Sequence, residues 1–340
     1  MSEISNIARD EPVRATSLSA LNLDEMPTSA HFRRDHFFAP EIHGDWRLEV
    51  GGSVRQRLEL RYDVLRSCPS RELTVALECA GHRRAEFRTA TSGVKWGVGA
   101  VSEARWAGTS LRHILERAGL TGSPRCVVLE GADEGLFRDT GTVRFARALP
   151  IRKALHPDTL LAWNMNGEPI PVGHGAPVRA IVPGWYATDS VKWLNRILVL
   201  EEPFMGLFEA LDYRLTTNSA VPGMRLTALP VHSLLTSVHD GERISEGPRV
   251  LRGIAWGGDA GVSHVELSID DRKWQRATLI RPKSRYAFVR WEFRWLARGG
   301  LHGIAVRATD AAGKGQPSEP QWNHGGYANS SIQRVRIHVC

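Results

Sequence analysis

The sequence is poor in sulfur and in long apolar runs. Its four cysteines, Cys68, Cys79, Cys126 and Cys340, have no C-x-x-C spacing and lack the density of a disulfide scaffold. Reduced thiols in a cytoplasmic protein fit that pattern. The C-x-x-C-H haem site, the H-E-x-x-H zinc site and the Walker and Rossmann glycine fingerprints are also missing. If the chain does redox chemistry, its electron partner is therefore expected on another chain, with no haem in this one. No apolar run approaches the ~20 residues of a membrane span, and Met1-Ser2-Glu3-Ile4 opens no export signal. A lysine-rich tail is absent as well. The excess of 44 basic over 37 acidic residues, +7, is spread along the chain and carried mainly by arginine. That favours planar recognition of small anions over binding of nucleic acid or a membrane surface.

What is present reads as globular. An apolar content of 42% with 24% charged residues lies outside the disordered range, and 340 residues suit about two domains. Residues 1–30 are polar, without periodicity, and read as an arm lying on the body. Residues 31–212 mix patterns. Asp45 to Gly52 and Leu73 to Leu77 alternate or run apolar as strands do, and Leu58 to Arg66 has a helical pattern. Ser110 to Leu120 reads as a capped amphipathic helix closed by Gly119, Cys126 to Glu130 as a buried strand, and Pro157 to Asn164 as helical turns. Pro177 to Pro183 and Ser190 to Leu194 are strand-like, each with a basic residue inside. From about Tyr213 the chain turns to short alternating strands, Val250 to Trp256, Val262 to Ile269, Phe288 to Trp295, Gly303 to Thr309 and Ile332 to Val339. That spacing predicts an Ig-like β-sandwich over residues 213–340, with assembly as its role.

Chemistry-bearing residues cluster in the first two thirds. The apolar run Leu73 to Leu77 ends in Glu78-Cys79-Ala80-Gly81-His82-Arg83-Arg84. A thiol beside two guanidinium groups is expected to have a depressed pKa and to be available as thiolate, as metal ligand or nucleophile. The alternative is a small buried hydrophobe at a strand end. His31-Phe32-Arg33-Arg34-Asp35-His36 packs two histidines and two arginines into six residues before a proline break, which is loop-like and site-like. Cations inside apolar segments, at Arg84, Arg179 and Lys192, need partners and imply a shared anionic guest.

The stretch Cys79-Ala80-Gly81-His82-Arg83-Arg84 resembles the C-A-G-N-R-R motif of the sulfite oxidase family of molybdenum enzymes, which includes the assimilatory nitrate reductases and a bacterial, haem-free branch. Further matches follow in the family's order, so the resemblance covers roughly residues 31 to 340. Phe32-Arg33-Arg34-Asp35-His36 is similar to the segment that wraps the molybdopterin, with Arg34 facing substrate. Trp96 matches the tryptophan of the substrate pocket. Asp133 matches a cofactor-contacting aspartate, with Asp139 as the other register. His174 and Arg179 fall in a match to H-G-F-P-V-R, Ser190-Val191-Lys192 in a match to S-V-K-W-L, and Tyr213 where the family places its active-site tyrosine.

The resemblance implies an α+β fold, a mixed α/β molybdopterin-binding domain followed by an Ig-like dimerisation domain, in a homodimer. It implies Cys79 as the metal ligand, the molybdenum cofactor as an anionic guest neutralised by buried cations, and a substrate oxyanion against Arg34 and Arg84 beside Trp96 and Tyr213. Oxidation of sulfite or a related sulfur compound, with electrons passed to a separate acceptor, is the expected reaction. Nitrate or another oxide as substrate, and a non-catalytic cofactor-binding protein, are the alternatives. Two departures bear on this: His82 stands where the family has asparagine, and Gly325 where animal and plant sulfite oxidases have a further substrate arginine.

Overall fold

The computed structural model describes residues 13–42, 44–137, 140–217 and 223–340. Strands dominate among the described residues, and the longest described helix, Leu111–Ala118, has eight residues. It forms as its sequence requires: the Ser110 hydroxyl accepts from the His113 amide, Gly119 closes it at φ 70°, and Leu111, Ile114, Leu115 and Ala118 form one buried face. No described helix is long and apolar enough to cross a membrane.

Two five-stranded sheets build the first domain. In one, Glu168–Pro169, Leu160–Met165, Val101–Ser110 and Ser70–Glu78 lie in that order, and Arg179–Ile181 also pairs with Leu160–Met165. In the other the order is Leu58–Arg61, Arg47–Gly52, Leu194–Leu200, Cys126–Leu136 and Thr142–Pro150, with Leu194–Leu200 parallel to Arg47–Gly52. Helix Leu111–Ala118 packs into the core of the second sheet. Both sheets end at the same place: Ser70–Glu78 delivers Cys79, and Leu194–Leu200 follows directly on the Ser190–Trp193 turn.

Three expectations are corrected. Leu58–Arg61 is a strand, and only Tyr62–Arg66 is helical. Pro157 to Asn164 is mostly strand, because Leu160, Leu161 and Ala162 are fully buried between two neighbours and favour pairing over a helical turn. Ser190 to Trp193 is a turn rather than strand. Over residues 13–30 the arm lies on the body: Val13–Arg14 pairs with Arg33–Arg34, and Ser17 caps the helix Leu18–Leu21.

The C-terminal part is a β-sandwich. A four-stranded sheet (His232–Leu235, Gly247–Trp256, Val289–Ala297, Thr278–Ile280) faces a five-stranded one (Arg243–Ile244, Gln333–Val339, Gly300–Asp310, Val262–Ile269, Gln275–Arg276). Alternate residues of both, among them Leu251, Ala255, Val265, Leu267, Trp291, Ile304, Val306 and Ile337, fill the space between. Trp291 is fully buried, and its ring lies so close to Gly253 that a Cβ there would come within 2.2 Å of it. Replacing Trp291 by alanine should cost about 3–5 kcal/mol, read as a drop in the urea midpoint. A change under about 1 kcal/mol would contradict this packing.

Candidate functional site

A cleft opens where the two sheets of the first domain end. Among the expected site residues, Phe32, Arg33, Arg34, His36, Cys79, Asp133, His174, Arg179, Ser190, Val191, Lys192 and Tyr213 all line it. Asp35 lies behind the wall as its counterion, with a side chain wholly out of contact with solvent. It accepts from Arg33 Nε at 2.7 Å and pairs with Lys192 Nζ. Asp139 lies outside the described residues.

One group of lining residues is cationic. Arg179 donates to the carbonyls of His174 and Ser190, both at 2.8 Å, and so ties the two cofactor-type segments together. Gly175, at φ 107°, makes the approach possible: a Cβ there would come within 2.9 Å of the Lys192 side chain. Burial pulls Lys192 down to about 8, although Asp35 opposes it, and pulls Arg179 down to about 9. Asp133 is pushed up to about 7, chiefly by burial. His31 and His174 meet edge to face at 5.4 Å between their ring centroids, and burial first, then neighbouring positive charge, lowers them to about 3 and about 2. Both are neutral at pH 7.

The second group gathers around the thiol. Arg34 is an electrostatic neighbour of Cys79, Tyr213 and His36. The Tyr213 hydroxyl is 3.4 Å from His36 Nδ1, and its ring stacks on Tyr327 and faces the Arg147 guanidinium at 5.3 Å. Tyr213 holds φ 52°, a left-handed conformation unfavourable for an aromatic residue, and this contact set compensates for it.

Besides Asp35, two expected positions do not line the cleft. Arg84 is buried, and its donors go to the carbonyls of Gly325 (2.9 Å), Gly326 and Val94, with the guanidinium over the Tyr327 ring at 5.0 Å. Trp96 is buried edge to face against Phe32. The expected depression of the Cys79 pKa is also corrected. Arg84 and Arg34 do pull the thiol down, but burial outweighs them and pushes it up, and Arg83 gives its charge to Glu86 at 2.6 Å. In the protein alone the sulfur is a thiol.

His82 is wholly buried, its ring nitrogens without a hydrogen-bond partner among the described residues and its ring edge-on to His232 and Trp256. Burial keeps it neutral. Beside it Glu78 accepts from Trp256 Nε1 at 2.7 Å and rises to about 8 through burial.

Sequence reasoning missed several lining or supporting groups. Arg14, in the aperiodic arm, reaches His174 Nε2 at 3.5 Å. His31, from the same cluster as Arg34, also lines the cleft. Phe145 and Arg147 sit in a strand whose alternation, buried at Phe145 and Arg147, was the available signal.

The sequence profile described as "Oxidoreductase molybdopterin binding domain" matches residues 36–208, and that described as "Mo-co oxidoreductase dimerisation domain" matches residues 224–340. This chain belongs to the sulfite oxidase family. It is 34% identical to mitochondrial sulfite oxidase of Homo sapiens over 92% of its own length, and 33% identical to sulfite oxidase of Gallus gallus over 91%. Nitrate reductase [NADH] 2 of Phaseolus vulgaris is 30% identical over 92%. The chain spans 61% of the human relative, 72% of the chicken one and 39% of the bean one. Among solved structures, the sulfane dehydrogenase SoxCD of Paracoccus pantotrophus superimposes with a TM-score of 0.85 at 25% identity, covering 98% of this chain and 87% of that one.

The residues fit the family's molybdenum cofactor, an anionic pterin dithiolene. At the cationic group, His31 Nε2 and Asp133 Oδ1 are buried polar atoms that lack a hydrogen-bond partner among the described residues, as expected of groups aimed at a guest. Lys192 pairs with the buried Asp35, while the buried Arg179 donates to the carbonyls of His174 and Ser190, so it offers a positive charge where a phosphate and pterin would lie.

His174 gives a pH test of this arrangement. Its folded pKa lies below the unfolded value of about 6.5, so below that pH the unfolded chain binds a proton that the folded one does not, and acid destabilises the fold. The stability difference between the cofactor-free wild type and His174→Gln should shrink by about 1.4 kcal/mol per pH unit from pH 6.5 downwards. A difference constant from pH 7 to 5 in urea titrations would contradict a neutral, buried His174.

Proposed function

We propose that this chain is a molybdenum-dependent oxidoreductase that oxidises a small sulfur oxyanion, sulfite being the simplest, and passes the electrons to a separate redox protein. The observation that carries this reading is one thiol, Cys79, meeting Arg34 and Tyr213 in a cleft that is otherwise a cradle for an anionic cofactor. Cys79 is the protein ligand to the metal, a soft donor that is deprotonated on coordination. Arg33, Asp133, His174, Arg179 and the Ser190–Lys192 turn hold the pterin and its phosphate. When bound, the cofactor supplies the oxygen-atom transfer and takes up two electrons.

The protein's own residues position and neutralise. Arg34 binds the oxyanion through charge-assisted hydrogen bonds. The Tyr213 hydroxyl offers a further donor, oriented by His36 at 3.4 Å. Burial of His36 leaves it neutral at pH 7, so it orients the phenol without competing for the anion.

Further parts of the reading are a boundary near residue 213, a homodimer formed through the C-terminal sandwich, a haem-free chain and a cytoplasmic location. The dimerisation-domain match over residues 224–340 supports the second, and four free cysteines the last. Nitrate reduction is the second reading, favoured by nitrate reductases of Phaseolus vulgaris and Lotus japonicus at 30% and 32% identity.

Protein purified from a host that makes the cofactor should contain molybdenum and oxidise sulfite with ferricyanide as acceptor. Cys79→Ser should lower turnover by more than ~100-fold, beyond what loss of an outer partner costs. Nitrate reduction without sulfite oxidation would select the second reading, and a metal that gives no reduced-state paramagnetic signal with either substrate would make the chain a cofactor-binding protein. Light scattering should give twice the 37.8 kDa chain mass. A monomer at micromolar concentration would refute the dimer.

A further inference from the structure

The part of the cleft around Arg34 is more aromatic than an inorganic dianion requires. His36 sits among five rings, with centroids at 4.5 Å (Phe208), 5.0 Å (Phe37), 5.6 Å (Phe145), 6.0 Å (Phe137) and 6.5 Å (Tyr213). Phe145 and Tyr213 themselves line the cleft. His36 is lowered to about 4 by burial and by Arg34, so it brings no charge at pH 7. Arg84 is spent on three backbone carbonyls and the Tyr327 ring. That leaves Arg34 as the cation beside Cys79, with no hydrogen-bond or ion-pair partner for its guanidinium among the described residues.

One guanidinium matches one negative charge shared by two oxygens in a plane. A second negative charge would be desolvated here without a partner. An apolar substituent on the same substrate would instead gain by covering the aromatic wall.

Resting on the oxidoreductase reading above, we propose that this cleft takes an organic sulfinate, R–SO2−, its two oxygens on Arg34 and its apolar R group against Phe145 and Tyr213. The reaction is R–SO2− + H2O → R–SO3− + 2 H+ + 2 e−. The sulfur lone pair becomes the new S–O bond, the oxygen derives from water, and the two electrons leave to a one-electron acceptor. In the assay two ferricyanide ions become two ferrocyanide ions.

Molybdenum-loaded wild-type protein tests this with benzenesulfinate, methanesulfinate and sulfite in turn, ferricyanide being the acceptor. The expected result is a kcat/KM for benzenesulfinate about tenfold or more above that for methanesulfinate, the scale of discrimination an apolar pocket supplies, and above that for sulfite. Phe145→Ala should lower the benzenesulfinate-to-methanesulfinate ratio by about tenfold. Oxidation of sulfite with neither sulfinate turned over, or a wild-type sulfinate ratio at or below one, overturns the proposal and leaves the sulfur-oxidising reading standing. Oxidation of none of the three overturns both.

Discussion

The site depends on one buried carboxylate. Asp35 has no solvent contact and is held between Arg33 and Lys192. Without it, two cations would be desolvated side by side, at a cost of several kcal/mol. With it, the short strand Arg33–Arg34 is fixed against the Ser190–Lys192 turn, two segments more than 150 residues apart. Because Arg34 is the next residue after Arg33, the same pairing sets where its guanidinium, without a hydrogen-bond or ion-pair partner among the described residues, lies beside Cys79. The site is pre-organised by charge rather than by hydrophobic contact, and Arg179, whose described hydrogen-bond partners are backbone carbonyls, remains a cation for the guest.

A second constraint acts from behind. The Cys79 turn is the end of a strand, and the C-terminal sandwich covers its back. Trp256 donates to Glu78, Arg83 donates to the Ser331 carbonyl, Asn329 donates to the Arg83 carbonyl, and the Ala328 amide donates to the Ala80 carbonyl. An apolar cluster of Leu21, Ala76, Ala80, Tyr186, Leu234, Ile254, Trp256 and Phe288 joins arm, first domain and sandwich. The sandwich therefore does more than the assembly role its sequence pattern implied, since it fixes the orientation of the turn that carries the thiol. Tyr327, from the same part of the chain, reaches into the site region by stacking on Tyr213 and covering Arg84.

Much of this was legible from sequence, for reasons that differ by element. The sandwich strands alternate with period two and are bounded by turn residues, so their existence followed directly. The Leu111–Ala118 helix carried both caps. Family motifs brought most of the lining residues together, which spacing alone would not have done, since they come from six separate segments. What failed shares a cause. Pro157 to Asn164 carries a short apolar run that periodicity cannot assign, and tertiary burial decided for strand. The Cys79 pKa was inferred from neighbours in sequence, whereas burial and the turning away of Arg83 and Arg84 set its sign. Arg84 shares its motif with Cys79, but its guanidinium turns to the carbonyls of Gly325, Gly326 and Val94, and Trp96 is buried behind Phe32. Arg14 had no pattern at all, because its role comes from one strand pairing, Val13–Arg14 with Arg33–Arg34.

The central claim is that Cys79 is the protein ligand of a molybdenum held at this junction. X-ray absorption at the molybdenum edge of the loaded protein tests it most directly. The account predicts one more sulfur neighbour around the metal in the wild type than in a Cys79→Ser variant that still carries molybdenum. An unchanged sulfur count between the two would contradict it.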